Sequence, residues 1–446
     1  MRVAERSRSI SRRTVLAGGV SALAGAILAR HGDSLAQDLS GSITVGYEGS
    51  NTFYGPYAQA AAEAVMSANP GTTIELAPSV SPDYLAQIAM QLFTRTAPDT
   101  FMIFGLGAGE LSEGGFILAL DDYVQSWDGW QAYDPAAINA VSVQGRLWAI
   151  PWGLNVFFLY YRKDLFAEAG LPVDWQPETR EGIIEAAQAI QAANPDVIPY
   201  ALYSGANGEF GTAADFMTLI YSNGGTLTDE SGRWYIDSCP IRETLGYYET
   251  AYQTTGVVPQ SVLTDVSPPE TMPQFLSKGE LGILRESARH HGVWLAEDPA
   301  NADNIGVALF PGDHGAFSLA DVGDAWYINR NSKNPDLAWA FIQAFNTTQA
   351  QAALASQDPH LPARLDARED ASWLAQPLSA RMVDAAQGSM PVPPPEPQFR
   401  KLISIVQNAT GLVATGEATP VEAIERYGDE LTRTMGKMNV VEQACP

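Results

Sequence analysis

Between Ser42 and Phe104 three strand patterns alternate with two helical ones, and that order constrains the fold more than any other feature of the chain. Ser42-Ile43-Thr44-Val45-Gly46-Tyr47 alternates β-branched residues, and Pro56 through Ala68 is alanine-rich and stops at Asn69-Pro70-Gly71. Thr73-Ile74-Glu75-Leu76-Ala77 reads as a second strand. Ser81-Pro82-Asp83 supplies an N-cap with Pro at the first helical position, opening a helix to about Arg95. Phe101-Met102-Ile103-Phe104 is apolar throughout. Strands joined by helical crossovers run parallel and need cover on both faces, so the spacing predicts an α/β fold. Small molecules bind such sheets beyond the carboxyl ends of the strands. That rule marks Glu48, Gly49, Ser50 and Asn51 after the first strand, and Gly105-Leu106-Gly107 after the third.

Further along, Gly145 to Gly153 is a strand ending in a Pro/Gly break, and Val156 to Tyr161 is a nearly apolar, hence buried, strand. Asp164–Ala169, Glu178–Ala193 and Asn334–Phe345 read as helices. Leu281–Leu284, Ile305–Leu309 and Ala325–Ile328 read as strands. Thr419-Pro420-Val421-Glu422 is a capping box. Pro391 to Pro397 reads as a stiff extended connector.

The first 36 residues read as an address rather than as fold. Arg12-Arg13 follows a basic leader, and Val15 to Ala29 is apolar but, at about 15 residues, short of the ~20 that span a bilayer. Ser34-Leu35-Ala36 offers small residues to a signal peptidase. A Tat-type signal peptide, 1–36, is expected, with a soluble periplasmic product that does not itself span the membrane. The 446 residues carry 26 Lys and Arg against 51 Asp and Glu, a formal net charge of −25. Phosphate backbones and anionic lipid demand basic faces, so nucleic acid and membrane docking are excluded as partners. Cys239 and Cys445 are a candidate disulfide, which an oxidising compartment permits and their Cα separation decides.

No G-x-x-x-x-G-K-S/T, H-E-x-x-H or G-x-S-x-G motif occurs. Gly105-x-Gly107-x-Gly109 lacks the spacing of a dinucleotide fingerprint, so no cofactor is expected. The histidines beyond the leader form no ligand triad; adjacent His290 and His291 point to different sides of their element. What stands out instead is aromatic residues near chain breaks: Tyr47, Tyr54, Trp152, Phe210, Trp234, Trp294 and Trp326. A ring stacked on a sugar's apolar face gains on the order of 1 kcal/mol by area, and micromolar binding needs about 8, so planar polar groups must meet the hydroxyls.

Several ordered segments together resemble one family. These are Ala97-Pro98-Asp99 before an apolar strand, Gly114-Gly115-Phe116-Ile117-Leu118-Ala119-Leu120-Asp121-Asp122-Tyr123, and Gly145 to Pro151 running into Leu159-Tyr160-Tyr161-Arg162-Lys163-Asp164-Leu165-Phe166. Phe275 to Glu280, Asn331 to Ala338 and Leu361-Pro362-Ala363-Arg364 complete the set. The chain resembles family 1 of the extracellular solute-binding proteins, the group of maltose-binding protein and other sugar receptors of ABC importers. The resemblance implies a two-lobed, type II periplasmic-binding-protein fold with crossing hinge strands. Lobe one would be 38–154 plus 322–362, and lobe two 155–321 plus 363–446. It also implies ligand contacts from Glu48, Asn51, Trp152, Asn155, Glu209, Phe210, Asp215, Arg285, Asp324 and Trp326. Gly105-Leu106-Gly107 stands where maltose binders have polar residues, which puts maltose itself in doubt.

The function expected is therefore a monomeric receptor without catalysis, capturing a sugar or sugar-like solute for an ABC permease. A receptor for a polyamine or a phosphorylated polyol is the alternative within binding proteins, and an exported glycan hydrolase the alternative among enzymes.

Overall fold

A computed structural model of the chain describes residues 39–49, 53–80, 84–264, 275, 278–388, 390–391, 398–443 and 445. The leader, Asn51, the Ser81-Pro82-Asp83 cap and most of the Pro-rich connector lie outside the described residues. The chain divides into two compact units. One comprises the residues up to Gly153, with Gly323–Asp358 and Pro362–Gln376; the other comprises Leu154–Val322, Pro359–Leu361 and Pro377 onward.

In chain order the elements that matter are β1 (Ser40–Glu48), α1 (Tyr54–Ala68), β2 (Gly71–Ser79), α2 (Tyr84–Thr94), β3 (Thr100–Phe104), β4 (Ile150–Pro151) and β5 (Gly153–Arg162). They continue with β6 (Ile198–Ala201), α3 (Glu209–Ser222), β7 (Trp234–Asp237), α4 (Cys239–Glu249), β8 (Leu281–Ser287), α5 (Ala288–Glu297) and β9 (Ile305–Ala308). Then come β10 (Asp324–Ile328), α6 (Pro335–Phe345), α7 (Ser379–Gln387), α8 (Phe399–Thr415), α9 (Pro420–Met435) and β11 (Val440–Glu442).

The first unit holds a five-stranded sheet in the order β2-β1-β3-β10-β4. β1 runs parallel to β2 and β3, while β10 is antiparallel to β3 and β4. Ile43 and Val45 of β1 register with Ile74 and Leu76 of β2, and all four come from the alternation visible in the sequence. α1 ends at Asn69, whose side-chain amide donates to Val65 O (3.0 Å) and whose carbonyl accepts from Thr72 Oγ1 (2.8 Å), so the turn into β2 is bonded on both sides.

Residues 362–376 belong to this unit, although the sequence reading gave 363 onward to lobe two. The reason is local bonding. Ala363 O accepts from Asp134 N (2.9 Å), Gln351 Oε1 from Arg364 N (3.0 Å), and Asp134 Oδ2 from Arg368 Nη2 (2.6 Å).

The second unit is built on the order β9-β5-β8-β6, with β5 antiparallel to both neighbours and β8 parallel to β6. From Val156 to Arg162 β5 is buried, as an apolar central strand must be. α9 opens on the capping box: Glu422 N donates to Thr419 Oγ1 and Glu422 Oε2 accepts from Thr419 N (2.9 Å). β11 pairs parallel with β7, and beside that pair Cys239 and Cys445 are joined by a disulfide with Cα atoms 5.3 Å apart. Among the described residues no helix is long and apolar enough to cross a membrane.

Candidate functional site

Each unit gathers polar and aromatic side chains at one edge of its sheet. In the first unit that edge is where β1 and β3 end. Because β10 is antiparallel to β3, its first residue, Asp324, sits opposite Phe104. Ala325 pairs with Pro151, which carries Trp152 to the same edge. Half-buried Glu48 closes β1 there.

Tyr54, which opens α1, donates its hydroxyl to Asp324 Oδ2 (2.5 Å), and its ring meets Trp152 edge-on with centroids 6.0 Å apart. Tyr84 opens α2. Its hydroxyl is buried and has no hydrogen-bond partner among the described residues. Burial, then the charges of Asp324 and Glu48, push its ionisation far above the ordinary tyrosine range. A Cβ on Gly46 would lie 2.8 Å from Pro98 Cγ and 3.1 Å from the Tyr84 hydroxyl, so β1 needs glycine there for the ring to reach this position. Below Tyr84 a cavity of about 600 Å³ runs past Pro78, Gln87 and Gln91, with no charged side chain in its lining.

In the second unit β8 and β6 end, and β5 begins, at a shared edge. Asn155 accepts there from Ser287 Oγ, which also caps α5 by accepting from Arg289 N (3.1 Å). Arg285 pairs through Nε with Asp215, and both side chains are 3% exposed. The guanidinium also lies 4.6 Å from the Phe157 ring centroid and donates to Gly211 O (3.3 Å). Asp215 accepts from Tyr203 N (2.7 Å) as well. Burial raises the Asp215 carboxyl to about 6, against the pull of Arg285. Next to it, Glu286 accepts from Ser287 N (2.7 Å) and Tyr203 Oη (3.3 Å) and lies 3.1 Å from His290 Nδ1. Burial works to raise the Glu286 carboxyl, but His290, Arg285 and the Ser287 amide together hold it below the usual range.

Glu209 and Phe210 start α3. Glu209 is exposed and has φ +48°, a conformation that strains any residue with a Cβ, and its carbonyl accepts from Gln407 Nε2 (2.9 Å).

The chain matches the family of bacterial extracellular solute-binding proteins over residues 49–352. It belongs to that family. A probable ABC transporter-binding protein of Deinococcus radiodurans is 25% identical over 380 residues, 82% of this chain and 88% of that one. A lactose-binding protein of Rhizobium radiobacter is 24% identical over 63% of this chain and 65% of its own length. Among solved structures, a Thermotoga lettingae solute-binding protein bound with α-D-tagatose superposes with a TM-score of 0.76 at 20% identity, covering 89% of this chain and 100% of that one. Maltose-bound MalE3 of T. maritima gives a TM-score of 0.73 at 22% identity, covering 88% and 99%. At these identities the structures establish the fold, that of the maltose-binding-protein-like periplasmic binding proteins.

Two expectations for this solute-binding protein change. Trp326 is fully buried, with its ring centroid 5.1 Å from that of Phe341 and 4.9 Å from that of Phe345, both on α6, so it packs as core; Trp152 is fully buried as well. Asp215 and Arg285, read as ligand contacts, pair with each other beneath the edge, and Arg285 Nη1 is buried with no hydrogen-bond partner among the described residues. Glu48, Trp152 and Asp324 are brought together in the first unit, while Asn155, Glu209 and Phe210 belong to the second. Tyr84, Tyr203 and Ser287 were missed on the sequence. Their signal was position, since each stands where a strand ends or a helix begins at the strand edge of its unit. Among the described residues no group of three or more His, Cys, Asp or Glu gathers as metal ligands.

Proposed function

We propose that this solute-binding protein captures a sugar or sugar-like solute and delivers it to the permease of an ABC importer. The supporting observation is the first unit's strand edge. There two carboxylates, Glu48 and Asp324, stand with the rings of Tyr54, Tyr84 and Trp152. Acceptors of fixed direction suit hydroxyl groups, and the buried rings of Tyr54 and Trp152 hold the edge around them. The relatives' printed ligands, lactose, tagatose and maltose, point the same way. Contacts are assigned to Glu48 and Asp324 in the first unit, with Trp152 packed behind them, and to Asn155, Glu209 and Phe210 in the second, with Asn51 beside Glu48 in sequence. Asp215 and Arg285 support them from below.

The product acts as a periplasmic monomer after removal of leader 1–36. It binds its solute and leaves it chemically intact. A phosphorylated polyol is disfavoured, because Arg285 is already committed to Asp215. A polyamine is the second reading, favoured by two carboxylates at one aromatic edge.

Calorimetry of the mature protein against mono-, di- and oligosaccharides, polyols and spermidine tests the proposal. Saturable heat with one of the sugars is expected, weakened about tenfold in Asp324→Asn. Binding of spermidine alone would install the second reading, and turnover of any sugar would replace both.

A further inference from the structure

The second unit contains a cavity of about 400 Å³ that belongs to neither strand edge. Tyr161 and Lys163 line it from the carboxyl end of β5, whereas Asn155 stands at that strand's start, eight residues or about 26 Å away along an extended strand. Ile305 and Val307 of β9 and Leu378, just before α7, give it apolar walls. Trp175 forms a further wall, and that wall is fixed. Tyr161 Oη accepts from Trp175 N (2.9 Å) and donates to Val173 O (2.9 Å). The two rings meet edge-on at 5.3 Å, and Phe166 backs the indole at 5.0 Å. One residue on, Gln176 is bonded at both ends, accepting from Leu309 N (3.0 Å) and donating to Leu309 O (2.8 Å).

Three polar groups open into this space. Lys163 and Arg381 line it, and neither makes an ion pair or side-chain hydrogen bond among the described residues. Both cations face one cavity, and Asp174 is the single acid in its lining. His291 is 7% exposed and stacks on Tyr160 with centroids 5.7 Å apart, yet its ring nitrogens make no hydrogen bond among the described residues. Burial lowers its pKa to about 4, so it meets a ligand as a neutral ring able to bond a hydroxyl.

We propose that this cavity is a second ligand site, for a small aromatic carboxylate: the ring lies against Trp175 and the apolar walls, and the carboxylate is held by Lys163 and Arg381. A ring hydroxyl bonds His291. The volume falls within the range of small-molecule sites, and the pairing of a rigid aromatic wall with unspent cations is what such an anion needs.

Calorimetric titration of the full chain with 4-hydroxybenzoate tests this. One-site binding with Kd at or below about 1 mM is expected. The Lys163→Gln/Arg381→Gln variant should bind at least tenfold more weakly with an unchanged melting temperature, and 4-hydroxybenzyl alcohol should bind the parent protein at least tenfold more weakly than the acid. If that variant loses stability, Trp175→Leu takes its place with the same expected loss. Asp324→Asn should leave the constant unchanged, which separates this site from the sugar site whatever that site proves to bind. No saturable heat up to about 10 mM, or an unchanged constant in the charge variant, overturns the proposal. Full displacement by inorganic phosphate would reduce the site to an anion site without aromatic selectivity and overturn the assignment of its ligand.

Discussion

The two strand edges use the same kinds of residue to opposite ends. In the first unit Glu48 and Asp324 stand among the rings of Tyr54, Tyr84 and Trp152, and the Tyr84 hydroxyl is buried with nothing to bond among the described residues. In the second unit Arg285, Asp215, Glu286 and Tyr203 bond one another and the backbone around them. At the first edge the Tyr84 hydroxyl keeps a donor in hand, while at the second the Arg285–Asp215 pair holds the segment between β6 and α3 in place. The difference teaches that charge and aromaticity alone do not mark a contact residue.

That contrast can be broken most forcefully in the second unit. Arg285→Met leaves the Asp215 carboxylate buried without its cation and should cost about 3–5 kcal/mol of stability, read by urea unfolding. Arg285→Met/Asp215→Leu should recover most of it. A full loss of stability in the double variant as well would mean the pair does more than satisfy itself.

Next in size is the disulfide, which closes a loop of 206 residues. Cys239→Ser should lower stability by about 2–4 kcal/mol, and Cys445→Ser by the same amount, since either breaks the same bond. Unequal losses would show that one thiol has a packing role of its own.

His291 makes the second unit's stability depend on pH. Its native pKa of about 4 lies below the ordinary histidine value of 6.5, so the unfolded chain takes up the proton first. Stability is therefore whole above pH 6.5 and falls as pH drops toward 4, by about 2 kcal/mol between pH 7 and 5. His291→Gln should flatten that part of the curve, and a slope that survives the substitution would place the titration elsewhere.

The smallest effect on stability should accompany a clear effect on binding. Asp324→Asn at the first edge keeps the shape, removes the charge and should weaken sugar binding about tenfold, while unfolding changes by less than about 1 kcal/mol. If Asp324→Asn instead unfolds the protein as Arg285→Met does, the two edges are alike and the comparison fails.

Periodicity carried much of this into view from the sequence. The alternation in Ile43, Val45 and Ile74 appears as the core of the first sheet, and the box at Thr419 and Glu422 appears as the cap of α9. Those signals are local, spanning a few residues each. Trp326 was misplaced because its neighbours Phe341 and Phe345 come from a helix that follows it, and nothing near Trp326 in sequence says which sheet face that helix covers. Asp215 and Arg285 lie 70 residues apart, so their mutual satisfaction has no pattern to read. Tyr84 shows the converse. Its place at the mouth of a strand edge was readable, but its value as an unspent donor emerges only once Gly46 clears room for the ring.

The bond between Cys239 and Cys445 also bears on how the protein is best prepared. Cys445 is exposed, and the short strand before it joins the sheet margin at β7, so this stitch can be sewn last, onto a chain already folded. Material drawn from a reducing cytosol would have the right outline with the seam undone. Batches made inside and outside the cell would then differ in heat resistance, and a thiol count on each would tell them apart.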